Sequence, residues 1–190
     1  ARDAGRVHGA DGLAGIALPP AARVPEPEGA VAFLHRAILG AAQPVTLVAL
    51  APQTNLALLL RTHPEVAGNL ERIVFMGGSA STGNATAVAE FNVWHDPEAA
   101  AIVLDSGVPT YMYGLDVFNR VAIPEALAHE LAGAADPRTA LVGALLSHRI
   151  MAGDGGEPVY SGLIGDAGAV CALVDPGALH VERRPVRVEL

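Results

Sequence analysis

Most of the polar groups that could do chemistry lie in one stretch, SASTGNATAVAEFNVWHDPEAA, at residues 79–100. Glu90 and Asn92 are two apart, so in extended backbone both side chains share one face while Phe91 points to the other. Asn84 precedes them by a loop rich in turn residues. One carboxylate and two carboxamides presented together can accept from and donate to several adjacent hydroxyls, the pattern a sugar offers. The same residues also suit a plainer role, with Asn84 capping a turn and Glu90 solvated in a loop. His95 reads as structural, because Asp96 beside it is a natural N-cap and Pro97 follows at the first helical position. His35, His63, His129 and His148 fall on expected helices or their ends, and none stands at metal-ligand spacing from another His or Cys. The run MGGSASTG lacks the Lys-Ser/Thr ending of a phosphate loop and does not open directly into a helix, which disfavours phosphate binding.

The elements that must position these groups alternate along the chain. Residues 29–42, GAVAFLHRAILGAA, carry apolar side chains at helical spacing. VTLVALA at 45–51 is a short apolar run of the kind that forms a parallel strand covered on both faces. A helix over NLALLLRTHPEV, a strand over RIVFMGG at 72–78, a helix from Asp96 and a strand over PTYMYGLD at 109–116 follow. This alternation predicts an α/β fold, a mainly parallel, open, Rossmann-like sheet with helices on both faces. Further helices are expected over PEALAHELAGAA, PRTALVGALLSHRIM and DAGAVCALV, and RPVRVEL at 184–190 alternates like an exposed strand. Ligands of open α/β sheets collect at the carboxyl ends of the strands, here Leu50 to Pro52, Met76 to Gly78, and Leu115 to Asp116.

Composition sets the outer limits. A chain of 190 residues, 51% hydrophobic and 17% charged, is too apolar for disorder and long enough for one domain with a sizeable core. A formal charge of -8 would repel a phosphate backbone, so nucleic acid is not an expected partner. No apolar window escapes Gly, Pro or charge for the roughly 18 residues a membrane span needs. The one cysteine, Cys171, sits in the apolar run GAVCALV and reads as a core filler.

The stretch MGGSASTGNATAVAEFNVWHDPEAA closely resembles the substrate-binding signature of the nucleoside hydrolases, a calcium-dependent family that cleaves the N-glycosidic bond of ribonucleosides. VHGADGLAG, VTLVALAPQTNLAL, GLDV and GDAGAVCALVDP agree with the family in order along the chain. The resemblance implies that Asn84, Glu90 and Asn92 hold the ribose hydroxyls, that Met76 lines the sugar pocket and that His8 approaches the nucleobase. It implies calcium as cofactor, with Asp166 giving a carboxylate and Leu50 its backbone carbonyl. A hard cation with oxygen ligands is chemically consistent with sugar hydroxyls and water in the same shell. On their own residue types, Met76 also suits ordinary core, Asp166 an N-cap and His8 an ordinary loop. A small-molecule ribonucleoside as partner, a cytoplasmic place in purine and pyrimidine salvage, and a homo-oligomer are implied as well.

Two departures qualify the resemblance. The family motif DxDxxxDD, which supplies the general base and most calcium ligands, is absent from these residues, and PEPE at 25–28 lacks the spacing to replace it. The expectation is therefore one nucleoside-hydrolase-like domain over 1–190, incomplete at both ends, that alone binds calcium weakly and hydrolyses nothing. Gly165 stands where family members that cleave purine nucleosides often carry a histidine able to protonate the leaving base. The Gly-rich segment 148–165 is expected to cover the base pocket as a lid, with Tyr160 or His148 reaching in. Three readings follow: a ribonucleoside hydrolase, an inactive relative that binds ribosides or acts as a scaffold, and an unrelated α/β binder.

Overall fold

The computed structural model describes residues 5–9, 11–13, 15–151 and 157–190. In chain order the elements are α1 (Gly5–His8), α2 (Ala30–Leu39), β1 (Val45–Ala49), α3 (Thr54–Thr62), a 3-10 helix (Pro64–Asn69) and β2 (Leu70–Met76). Then come α4 (Phe91–His95), α5 (Pro97–Leu104), β3 (Thr110–Tyr113), α6 (Leu115–Phe118), α7 (Glu125–Ala132), α8 (Pro137–Leu146), β4 (Arg149–Met151), β5 (Pro158–Tyr160) and α9 (Asp166–Val174). The chain separates into two compact units, one of Pro25–Phe118 with Gly165–Leu190, the other of Ala1–Val24 with Asn119–Ile164.

The first unit holds a parallel sheet in the order β1-β2-β3, with Thr46 opposite Arg72 and Ile73 opposite Thr110. β2 is central, and its side chains alternate between two cores. Ile73 and Phe75 pack with Ile38 of α2, Leu59 of α3 and Val103 of α5. Val74 and Met76 face the other way, against Tyr113, Leu115 and Ala169 of α9. An apolar run without polar alternation is what a strand buried on both faces requires, and each such side chain contributes about 1.5–3 kcal/mol on burial. The α/β expectation, with helices on both faces of a parallel sheet, holds. α9 approaches β3 so closely that a Cβ at Gly168 would lie 2.2 Å from the Tyr113 hydroxyl.

In the second unit α7 packs on α8, and β4 pairs with β5 as an antiparallel hairpin. Its tip, residues 152–156, lies outside the described residues. No helix among the described residues is long and apolar enough to cross a membrane.

Several boundaries differ from expectation for identifiable reasons. β3 stops at Tyr113 instead of running to Asp116, because the Leu115 N–H turns to donate to the Gly78 carbonyl and α6 opens there. The helix expected over 137–151 ends at Leu146, and residues 149–151 are strand because they find a partner in β5. Residues 184–190 form no ladder with any described strand; alternation alone does not make a strand where no neighbour supplies the hydrogen bonds. Cys171 is exposed, not core. The buried stripe of α9 is Gly168, Ala169 and Ala172, and Cys171 falls outside that helical phase.

Candidate active site

Glu90 is 2% exposed although it is a carboxylate in a loop of small residues. It is the N-cap of α4, its Oε1 accepting from the Asn92 N–H at 2.9 Å and its Oε2 from the Val93 N–H at 3.1 Å. Oε2 also accepts from the Gly78 N–H at 3.0 Å, which ties the cap to the carboxyl end of β2. Gly78 has φ +76°, and a Cβ there would stand 3.0 Å from Met112, so the turn that delivers this N–H requires glycine. Asn84 completes the cap from the loop: its Oδ1 accepts from the Phe91 N–H at 2.8 Å. The first three N–H groups of α4 are thus met by side chains that the sequence marks for sugar recognition.

The local geometry corrects one premise. Asn92 lies on a helix, not on an extended segment beside Glu90, because the Glu90 carboxylate and the Asn84 amide start the helix at Phe91. The two side chains still reach the same place by different routes. Asn92 Nδ2 donates to the Met76 carbonyl at 3.0 Å, while Glu90 holds Gly78 two residues further on. Met76 is 7% exposed and belongs to the core, yet its Sδ lies 3.6 Å from the Asn92 amide. Both roles read from the sequence, core and pocket wall, are compatible with that position.

Gly165 comes to the same edge of the sheet, since a Cβ there would lie 3.5 Å from Met76 Cε and 3.2 Å from the Phe118 ring. Its φ is -91°, outside the left-handed region that favours glycine. Gly165 is the N-cap of α9 and Asp166 the first helical residue, exposed, so the N-cap role expected of Asp166 falls to its neighbour. Leu50 follows β1 at that strand's carboxyl end and is 37% exposed. In the same turn Gln53 is 5% exposed, and its buried Oε1 has no partner among the described residues.

The structure therefore brings Met76, Asn84, Glu90, Asn92 and the Gly165–Asp166 turn together around the end of β2. His8 ends α1 in the other unit and is exposed. Tyr160 is occupied by a local bond, its hydroxyl donating to the Ile123 carbonyl at 2.6 Å. Sequence reasoning missed Asp116, whose Oδ2 accepts from the Ala80 N–H at 2.8 Å and whose Oδ1 accepts from the Ser81 hydroxyl at 2.6 Å. Asp116 clamps the loop that carries Asn84. An acidic residue just past a strand end was the available signal.

Glu90 has room for about four acceptor contacts, and three are taken by backbone N–H groups. Asn84 keeps its amide donors and Asn92 its Oδ1 beyond the bonds described. The cluster can therefore still accept from and donate to vicinal hydroxyls from a fixed frame.

Comparison with known proteins identifies the family. A sequence profile of the family described as "Inosine-uridine preferring nucleoside hydrolase" matches residues 1–190. The pyrimidine-specific ribonucleoside hydrolase RihA of Salmonella enteritidis is 45% identical over 143 residues, 75% of this chain and 46% of that protein. A purine-preferring ribonucleoside hydrolase from Gardnerella vaginalis superposes with a TM-score of 0.79 at 28% identity, covering 90% of this chain and 55% of that one. The plant nucleoside hydrolase PpNRh1 gives a TM-score of 0.80, also at 28% identity, over 94% of this chain and 57% of its own. The chain spans about half the length of the relatives it matches. With the profile matching throughout and the overall fold shared with these hydrolases, this chain belongs to the inosine-uridine preferring nucleoside hydrolase family.

Proposed function

We propose that the protein hydrolyses the N-glycosidic bond of ribonucleosides to free base and ribose, with calcium assisting. The observation that carries this reading is the convergence of Asn84, Glu90, Asn92 and Met76 on the carboxyl end of β2. Cleavage passes through an oxocarbenium-like transition state, so negative charge beside the ribose lowers the barrier. Glu90, held rigidly by three N–H groups, supplies that charge without reorganising, and Asn84 and Asn92 orient the hydroxyls. Met76 closes the apolar side of the sugar, and His8 is assigned to the base.

For calcium, the donor set agrees in kind. The Asp166 carboxylate and the Leu50 carbonyl are hard oxygens, two of the six to eight that calcium takes. When bound, the ion would fix the ribose hydroxyls and lower the pKa of water. The general base is not assigned to a residue of this chain.

Gly165 carries no proton for the leaving base, which disfavours the acid route used on purines. Together with the pyrimidine specificity named for RihA, this supports a preference for pyrimidine ribonucleosides. The test is the initial rate of base release by the full-length protein from uridine and from inosine, with and without a calcium chelator. Uridine favoured over inosine, with the rate lost on chelation and restored by calcium, is the expected result. Equal rates on both substrates would overturn the base preference, and chelator-indifferent turnover the role of calcium. Riboside binding without turnover would favour the inactive-relative reading.

A further inference from the structure

His35 and His63 are 28 positions apart in sequence, and no spacing rule links them, yet the fold stacks their rings at 3.9 Å with planes 20° apart. Glu65 meets both. Its Oε1 lies 3.0 Å from His35 Nε2 and 3.5 Å from His63 Nδ1. Two ring nitrogens and a carboxylate oxygen converge, all within 4.8 Å of one another. With the tautomers that carry their protons on the far nitrogens, both rings present a lone pair beside the carboxylate, a donor set for a cation.

We propose that His35, His63 and Glu65 form a binding site for a borderline divalent cation, with zinc the best fit, separate from the ribonucleoside site. Imidazole nitrogens with one carboxylate suit zinc rather than calcium, which takes oxygens. Zinc bonds of about 2.0–2.2 Å in a tetrahedron set ligand atoms about 3.3 Å apart, the scale of the two contacts to Glu65 Oε1. The side chains of His35, His63 and Glu65 are 31%, 35% and 52% exposed, so an ion can enter and keep water as its fourth ligand.

The frame is prepared for this. His35 lies within α2, His63 is the C-cap of α3, and Pro64 opens the 3-10 helix that carries Glu65. Asn69 Nδ2 donates to the Ile38 carbonyl at 3.0 Å, binding the end of that 3-10 helix to α2. Ile38, Leu59 and Val66 beneath are fully or almost fully buried. The cluster follows α3 and precedes the start of β2, opposite in the strand direction from Glu90, so zinc there joins α2 to the α3–β2 connection without touching the sugar cluster.

Titration calorimetry of the protein with zinc chloride tests this, with visible absorption of a cobalt(II) titration as a second readout of nitrogen ligation. The expected result is one zinc per chain, with a cobalt band. Loss of a mere outer-shell partner costs about 10–100-fold in metal affinity, so His35→Ala and His63→Ala should each cost at least that. Glu65→Gln, at an exposed side chain, should weaken zinc as well while leaving the urea midpoint of the metal-free protein unchanged. Zinc affinity unaltered by Glu65→Gln and by the two histidine variants, or no cobalt band from the wild type, overturns the site. Uridine turnover is expected to be the same in His63→Ala, so the outcome here is independent of the hydrolase reading.

Discussion

Glu90 carries two demands at once, and its variants should separate them. Removing the carboxylate in Glu90→Ala leaves the N–H groups of Gly78, Asn92 and Val93 without their acceptor in a buried setting. Loss of a helix cap and of a buried acceptor together should cost about 2–4 kcal/mol in urea unfolding. Glu90→Gln keeps one acceptor oxygen and should cost less, yet it removes the charge that the oxocarbenium reading requires. Its unfolding midpoint should therefore stay nearer the wild type while uridine turnover falls. Gly165 gives a second test at this scale. A Cβ there needs the Phe118 ring to yield a few tenths of an ångström. Gly165→His should raise inosine turnover relative to uridine by about tenfold or more, read from the ratio of kcat/KM, since positioned acids contribute about 10²–10⁴-fold.

At the scale of elements, the helix packed on β3 is the most sensitive join. A methyl group at Gly168 would collide with the buried Tyr113 hydroxyl at 2.2 Å, so Gly168→Ala should destabilise by about 1–3 kcal/mol in thermal or urea unfolding. Burial also pushes the Tyr113 hydroxyl above its ordinary pKa, keeping it neutral beneath α9. α8 offers a pH test. The Asp136 carboxylate accepts from the Thr139 N–H and hydroxyl, which holds its pKa below the ordinary carboxylate value. A depressed folded-state pKa contributes stability above the unfolded pKa and loses it as pH falls through the folded one. The stability gap between wild type and Asp136→Ala should shrink as pH drops below about 4.

Which elements were legible follows from where their information is stored. β1 and β2 are marked by uninterrupted apolar runs, and α5 by Asp96 and Pro97, whose Oδ1 does accept from the Ala99 N–H at 3.0 Å. These signals are local. The start of α4 is set partly from outside the local pattern, because the Phe91 N–H is met by Asn84, seven residues upstream. The β4–β5 hairpin and the unpaired 184–190 segment were misread for the same reason, since a partner strand decides each. The His35–His63–Glu65 cluster was illegible, because only the packing of α2 against the α3–β2 connection brings its members together.

For the molecule as a whole, kinship fixes the family and the fold, and the geometry at the sheet's carboxyl edge carries the proposed site. The resemblance placed Met76, Asn84, Glu90 and Asn92 in one site before any contact was visible, and the contacts gather those four at the end of β2. Asp166 opens α9 and Leu50 follows β1, at the same side of the sheet. His8 belongs to the other compact unit. The acidic balance of the chain, which argued against nucleic acid, acquires a local meaning where Glu90 and Asp166 face the work proposed for sugar and cation.

The central claim, that this edge cleaves ribonucleosides, is tested most directly by kcat/KM for uridine in the full-length wild type and in full-length Asn92→Ala, each with its urea midpoint measured. Turnover by the wild type, with a fall of at least about tenfold in the variant beyond any change in folded fraction, is the predicted result. Uridine cleavage unchanged in a folded Asn92→Ala protein would contradict the account.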